Sequence, residues 1–140
     1  MKVLIYAVLD DRVQASLEAI RTHVTVPQHF VSSHAVFQTA LAECFSGETI
    51  VVFFVHDADE LAYLETMESK LLDTKLVLNL GTTENRLLLH AYKLHPRFIS
   101  LPHDPPDLLA MTINGIVREM NRTRFPKKAL GAAASNKRNR

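Results

Sequence analysis

The sequence predicts a doubly wound α/β domain, a parallel five-stranded sheet covered by helices on both faces. Three observations predict it. Short runs of β-branched and apolar residues alternate with longer stretches whose apolar positions recur every three or four residues. The short runs are apolar along their length rather than at alternate positions, as strands buried on both faces are. And 140 residues provide for one core with short connections between layers. For five strands in this alternation the common order is 2-1-3-4-5, with a crevice at the carboxyl ends of strands 1 and 3.

Lys2 to Leu9 reads as the first strand. Asp10-Asp11 then opens a helix with Val13, Leu17, Ile20 and Val24 on one face, either aspartate supplying the N-cap. Pro27 ends that connection, and Gln28 to Ser33 is a short second strand. A helix over about 35–45 repeats apolar residues at Val36, Phe37, Ala40, Leu41 and Cys44, with Gly47 placed as its C-terminal cap. Thr49 to Val55 is the clearest strand, β-branched and aromatic without a charge. Asp57 or Asp59 caps one helix running to about Leu72, with Leu61, Leu64, Met67, Leu71 and Leu72 inward. Lys75 to Leu80 is the fourth strand, followed by the turn Gly81-Thr82-Thr83 and a helix from Glu84 to about Leu94. Pro96 closes it. Arg97 to Leu101 is the fifth strand, and a last helix covers about 106–121.

Composition excludes several classes of function. Hydrophobic residues are 47% and charged residues 22%, ordinary for a globular chain and unlike a disordered one. The uncharged runs Val3–Leu9 and Ile50–Val55 are too short to cross a bilayer, and the N-terminus lacks a signal peptide's cleavage site. A cytoplasmic, non-membrane protein is the expectation. The single Cys44 excludes an internal disulfide and sits on the apolar side of its helix. Charge is distributed unevenly. Residues 1–117 hold eight Lys and Arg against fourteen Asp and Glu, and residues 118–140 hold eight against Glu119 alone. The division is a mildly acidic domain over 1–121 and a basic tail over 122–140, whose composition predicts disorder. Such a tail can touch nucleic acid; a solvated terminus is the simpler reading and the one favoured.

The crevice gathers the chemistry-bearing residues. Asp10 and Asp11 are a pair that could hold a cation, and N-capping with a favourable helix dipole is the simpler reading and the one favoured. The same choice holds for Asp57 and Asp59. His56, beside a buried strand end, could act as a base, or simply line the crevice. His23, His29, His34, His90, His95 and His103 have no HxH or HxxxH spacing, so zinc has little support. Gly81-Thr82-Thr83 could meet an anion through backbone N–H groups, but it is no P-loop, and no GxGxxG occurs.

Over residues 1–121 the chain resembles the receiver domains of two-component response regulators, a flavodoxin-like three-layer fold. Two places carry the resemblance. One is Asp10-Asp11 after strand 1, which in receivers helps hold magnesium. The other is Ala91-Tyr92-Lys93-Leu94-His95-Pro96-Arg97-Phe98-Ile99-Ser100-Leu101-Pro102, leading into a leucine-rich last helix. The family's proline matches Pro102, and the family pattern implies a cis Leu101–Pro102 bond. The departures lie in the chemistry. Leu101 occupies the slot of the family's lysine. The acceptor slot at the end of strand 3 falls on an apolar residue or on His56, with Asp57 one or two positions late. Thr82 lies just past the expected hydroxyl. Strand 1 runs about two residues beyond the family pattern. Losing the lysine removes a fixed positive charge from a site that must stabilise a dianion.

The resemblance therefore implies a degenerate receiver, not an enzyme, that regulates by protein–protein contact without phosphorylation. Its docking surface would be the fourth helix, fifth strand and fifth helix, including Tyr92 and Phe98, and its partner another protein or a second copy in a homodimer. Two alternatives stand beside it. One is a magnesium-dependent aspartyl phosphoacceptor using Asp10, Asp11 and Asp57. The other is a flavodoxin-like binder of a small ligand.

Overall fold

A computed structural model of the chain describes residues 1–44 and 48–124. The end of the second helix at Phe45, its Gly47 cap and residues 125–140 of the basic tail fall outside the described residues. Five parallel strands, β1 (Lys2–Tyr6), β2 (Gln28–Val31), β3 (Thr49–Val55), β4 (Lys75–Leu80) and β5 (Phe98–Ser100), form one sheet in the order β2-β1-β3-β4-β5. Helices α1 (Asp11–His23) and α6 (Asp107–Arg124) cover one face. The other carries α2 (His34–Ala42), α3 (Ala58–Thr66), α4 (Glu68–Leu71) and α5 (Asn85–Tyr92).

The pleat sorts the apolar strands into two cores. Val3, Ile5, Ile50, Val52, Phe54 and Val77 pack beneath α1 and α6, while Leu4, Tyr6, Val51, Phe53, Val55, Leu76, Leu78 and Leu80 pack beneath the other helices. Side chains alternate faces along a strand, so an unbroken apolar run feeds both cores at once. β3 is central, with all seven residues buried. Phe53 stacks on Tyr6 with ring centroids 4.2 Å apart and meets Phe37 edge-on at 5.4 Å, geometries that add to simple area burial.

Several boundaries differ from expectation for local reasons. β1 stops at Tyr6 rather than Leu9, because Tyr6 is its last residue paired with both Val31 and Phe53 and the ladder closes with Ala7 N–H donating to Val31. Val8 and Leu9 are exposed beyond it. β2 ends early because Ser33 is taken as the N-cap of α2, accepting from Val36 N–H. On α2, Val36 faces solvent, and Cys44, beyond the helix's end, lies at the core's margin.

The helix expected to reach Leu72 is broken at Met67. The spacing Leu61, Leu64, Met67 is three and three, tighter than the 3.6 of an α-helix. The chain keeps all three buried by tightening, Met67 N–H donating to Leu64 and Lys70 N–H to Met67, as a 3₁₀ turn does. Leu72 is thereby left exposed. α5 ends at Tyr92, after which His95 takes a left-handed φ of 54° at a position that more often holds glycine. β5 is trimmed to three residues, and α6 continues to Arg124, past 121.

The Leu101–Pro102 peptide is trans, contrary to the family pattern. Leu101-Pro102-His103-Asp104 forms a turn in which Asp104 N–H donates to the Leu101 carbonyl at 3.0 Å, and the Asp104 carboxylate accepts from Leu101 N–H at 2.8 Å. Proline at the second position of such a turn suits a trans bond.

Candidate functional site

The sheet order places the crevice at the carboxyl ends of β1, β3 and β4. The aspartates around it serve helix ends. Asp10 is the N-cap of α1, its Oδ1 accepting from Val13 N–H at 2.8 Å, and Asp57 is the N-cap of α3, accepting from Glu60 N–H at 3.0 Å. Asp11 and Asp59 stand in the first turns of those helices, where the dipole favours negative charge. Asp10 keeps one contact across the crevice, its Oδ2 lying 3.9 Å from Nδ1 of His56. His56 itself is exposed. Magnesium takes near-octahedral oxygen ligands. Among the described residues no three His, Cys, Asp or Glu side chains are grouped to hold a metal ion, so Asp10, Asp11 and Asp57 are not assembled into such a set.

The remaining expected residues have structural partners. Thr82 Oγ1 accepts from Glu84 N–H at 3.1 Å. Leu101 is partly buried against the α2–α5 core, and Pro102 lies in the turn just described. Tyr92 is exposed on α5, whereas Phe98 is half-buried against the α1–α6 core and offers a docking surface only part of its ring.

Two polar networks that the sequence reading had not singled out flank the crevice. On the α1 side, the Arg12 guanidinium donates to the Asn79 side-chain oxygen, and the Asn79 amide donates to Ser100 Oγ at 2.6 Å. Asn79 and Ser100 are buried, and their hydrogen bonds offset the cost of desolvating them. Gly81 makes room for this arrangement, since a Cβ there would stand 3.2 Å from the guanidinium. Asparagine in the otherwise apolar run Leu76-Val77-Leu78-Asn79-Leu80 was the signal available for it.

On the opposite side Glu60 is buried. It accepts from Tyr6 O–H at 2.5 Å and from His56 N–H at 2.6 Å. Asp57 followed three residues later by Glu60 is a capping-box spacing, and here the glutamate reaches one residue further back than the cap. Burial first, and then the hydrogen bond and charge of Glu60, push the Tyr6 hydroxyl far above the usual tyrosine range. Tyr63 is raised by burial. His34 stacks flat on Tyr63 at 3.8 Å, with Nε2 buried 3.9 Å from Glu60.

No described helix is long and apolar enough to cross a membrane. No family model matches the chain, and no curated protein matches it. Solved structures do. A CheY-like response regulator receiver domain protein from Methanospirillum hungatei JF-1 superposes with a TM-score of 0.66 at 12% identity, covering 87% of this chain and 97% of that one. A putative pilus assembly-related protein from Burkholderia pseudomallei K96243 gives 0.62 at 15% identity, over 87% and 90%. An atypical orphan response regulator gives 0.61 at 12%, over 84% and 96%. The likeness spans nearly the whole of each, and the chain has the fold of a response-regulator receiver.

Proposed function

We propose that the protein is a receiver-like regulatory module that works through protein–protein contact and without aspartyl phosphorylation. The observation that supports this most is the end of β3. Its last residue, Val55, is buried and apolar, the next is the exposed His56, and the carboxylate that follows, Asp57, is turned to cap α3. With Leu101 in the lysine slot, the crevice offers no fixed cation from that position for a phosphoryl dianion. The Arg12 guanidinium at the start of α1 is directed to Asn79. An atypical orphan regulator of the same fold is described by a phosphorylation-independent regulatory mechanism, so the fold accommodates this mode of action. With no covalent switch, the domain stays in one state, or changes state only through a partner's differential affinity for the two.

The test is an amide NMR titration of the full chain with magnesium and beryllofluoride, which mimics an aspartyl phosphate. The expected outcome is an unchanged spectrum at millimolar magnesium. Shifts concentrated at Asp10, Asp11, His56, Asp57 and Thr82 would overturn the proposal in favour of a metal-dependent phosphoacceptor.

A further inference from the structure

Two helices cover the α1–α6 face of a five-stranded sheet, and the β2 edge of that face is left to the flank of α1. Between this flank and β2 lies a cavity of about 440 Å³, a volume in the range of small-molecule sites. It is separate from the crevice, since neither the crevice aspartates nor His56 line it. Buried Ile5 and Leu17 form its floor. Leu9 and Phe30 stand at its mouth, 57% and 42% exposed.

The lining changes character along α1. The strand register sets Phe30 beside Ile5, and Gln28 nearer the amino end of the sheet beside Val3. Gln28 Nε2 donates to the carbonyls of Ile20 and Val24 at 3.3 and 2.8 Å, which places the last turn of α1 over Gln28. Arg21 lies in that last turn. Gln14, on the rim nearer the start of the helix, is about 10 Å from it along the axis. The cavity is therefore an elongated trough with an apolar end at Leu9 and Phe30 and a polar end at Arg21 and Gln28.

Arg21 is the one charged side chain in this lining among the described residues. It donates through Nη1 to Glu18 at 2.7 Å, an exposed pair of a kind that contributes little to stability. Glu18 does not line the trough, and the other guanidinium N–H groups remain for a ligand. The full charge of Arg21 exceeds the opposing half charge at the end of α1, where Gln28 already serves two carbonyls. A strand from another protein is a poorer occupant, because the four residues of β2 offer it few ladder bonds.

We infer that this trough binds a small amphipathic carboxylate of medium chain length. Its hydrocarbon lies over Ile5 and Leu17 toward Leu9 and Phe30, and its carboxylate accepts from Arg21. The planar guanidinium matches a carboxylate's geometry, and removing the hydrocarbon from water supplies the rest of the affinity. This goes beyond the protein-contact reading and does not rest on it.

The probe is octanoate, titrated into the full chain and followed by amide NMR, with octanol and octylammonium as uncharged and cationic counterparts. Octanoate should shift Ile5, Leu9, Leu17, Arg21 and Phe30, and bind about tenfold tighter than octanol. Arg21→Gln should bring octanoate down to the affinity of octanol. Glu18→Gln, which releases Arg21, should tighten octanoate and leave octanol unchanged. Both positions are exposed, so unchanged thermal unfolding should accompany each variant and exclude a folding defect. Equal affinity for the three probes, no shifts at millimolar octanoate, or shifts elsewhere would overturn the inference. So would concentration-dependent self-association that shifts Leu9 and Phe30 without octanoate, since a second copy would then be the occupant. The protein-contact reading stands or falls separately, on the beryllofluoride titration.

Discussion

Tyr6 shows how one side chain ties the molecule's chemistry to its packing. Its ring is part of the Phe37–Phe53 cluster and its hydroxyl donates to buried Glu60. Removing the phenolic proton would place two negative charges together out of water, which is why the group holds its proton far beyond the ordinary value of 10.0. The unfolded chain releases the same proton near that ordinary value. The contribution is therefore complete below about pH 10 and is lost as pH rises above it, because the folded state binds more protons there. Tyr63, also raised by burial, acts in the same direction. Chemical denaturation measured from neutral to strongly alkaline pH should show stability falling above about pH 10, and Tyr6→Phe should make that fall shallower. An equally steep fall in the variant would show that other groups cause it.

The helix starts show which part of an acidic residue's role is architectural. Asp57 caps α3 and, through the Glu60 that follows, also secures the His56 amide at the end of β3. Asp57→Ala should cost about 1 kcal/mol of unfolding free energy, as lost caps do. Asp57→Ser should recover most of it, since a hydroxyl accepts the same N–H. If serine were as damaging as alanine, the carboxylate would have a role beyond capping. Much of this was legible in the sequence. β3 and β4 were bounded correctly because Thr49–Val55 and Lys75–Leu80 are apolar runs with polar residues at both ends. The α1 face was legible because Val13, Leu17, Ile20 and Val24 keep helical spacing, and all four are buried. The break at Met67 was not, because Leu61 to Leu72 reads as continuous apolar periodicity and only packing decides where the helix tightens. Nor was the early end of β1, since Val8 and Leu9 are good strand residues that lack neighbours to pair with. At the crevice the aspartates, His56 and the Leu101 slot were legible. The Arg12–Asn79–Ser100 and Tyr6–Glu60 networks were not, because their members are 67 and 54 residues apart in the chain.

The molecule is organised around β3, which has a parallel neighbour on each side and a core on each face. Native-state hydrogen exchange should find the amides of Val51 to Phe54 among the slowest, exchanging only when the whole domain opens. Faster exchange there than in α1 would mean that the layers open separately. The surface around α5 stands at the opposite end of this gradient, fastened through fewer buried side chains. Ala91 is its only fully buried residue.

The two outermost strands have a different consequence. β2 is four residues long and β5 three, so each rim of the sheet offers only a short row of unpaired backbone groups. Long, flat, unprotected rims are where identical chains zip together into fibrils. Here a growing stack would find few rungs on either side, and β2's exposed Gln28 and His29 would have to be desolvated to extend it. A protein that keeps its strand rims this short offers little of its own backbone as a template for amyloid.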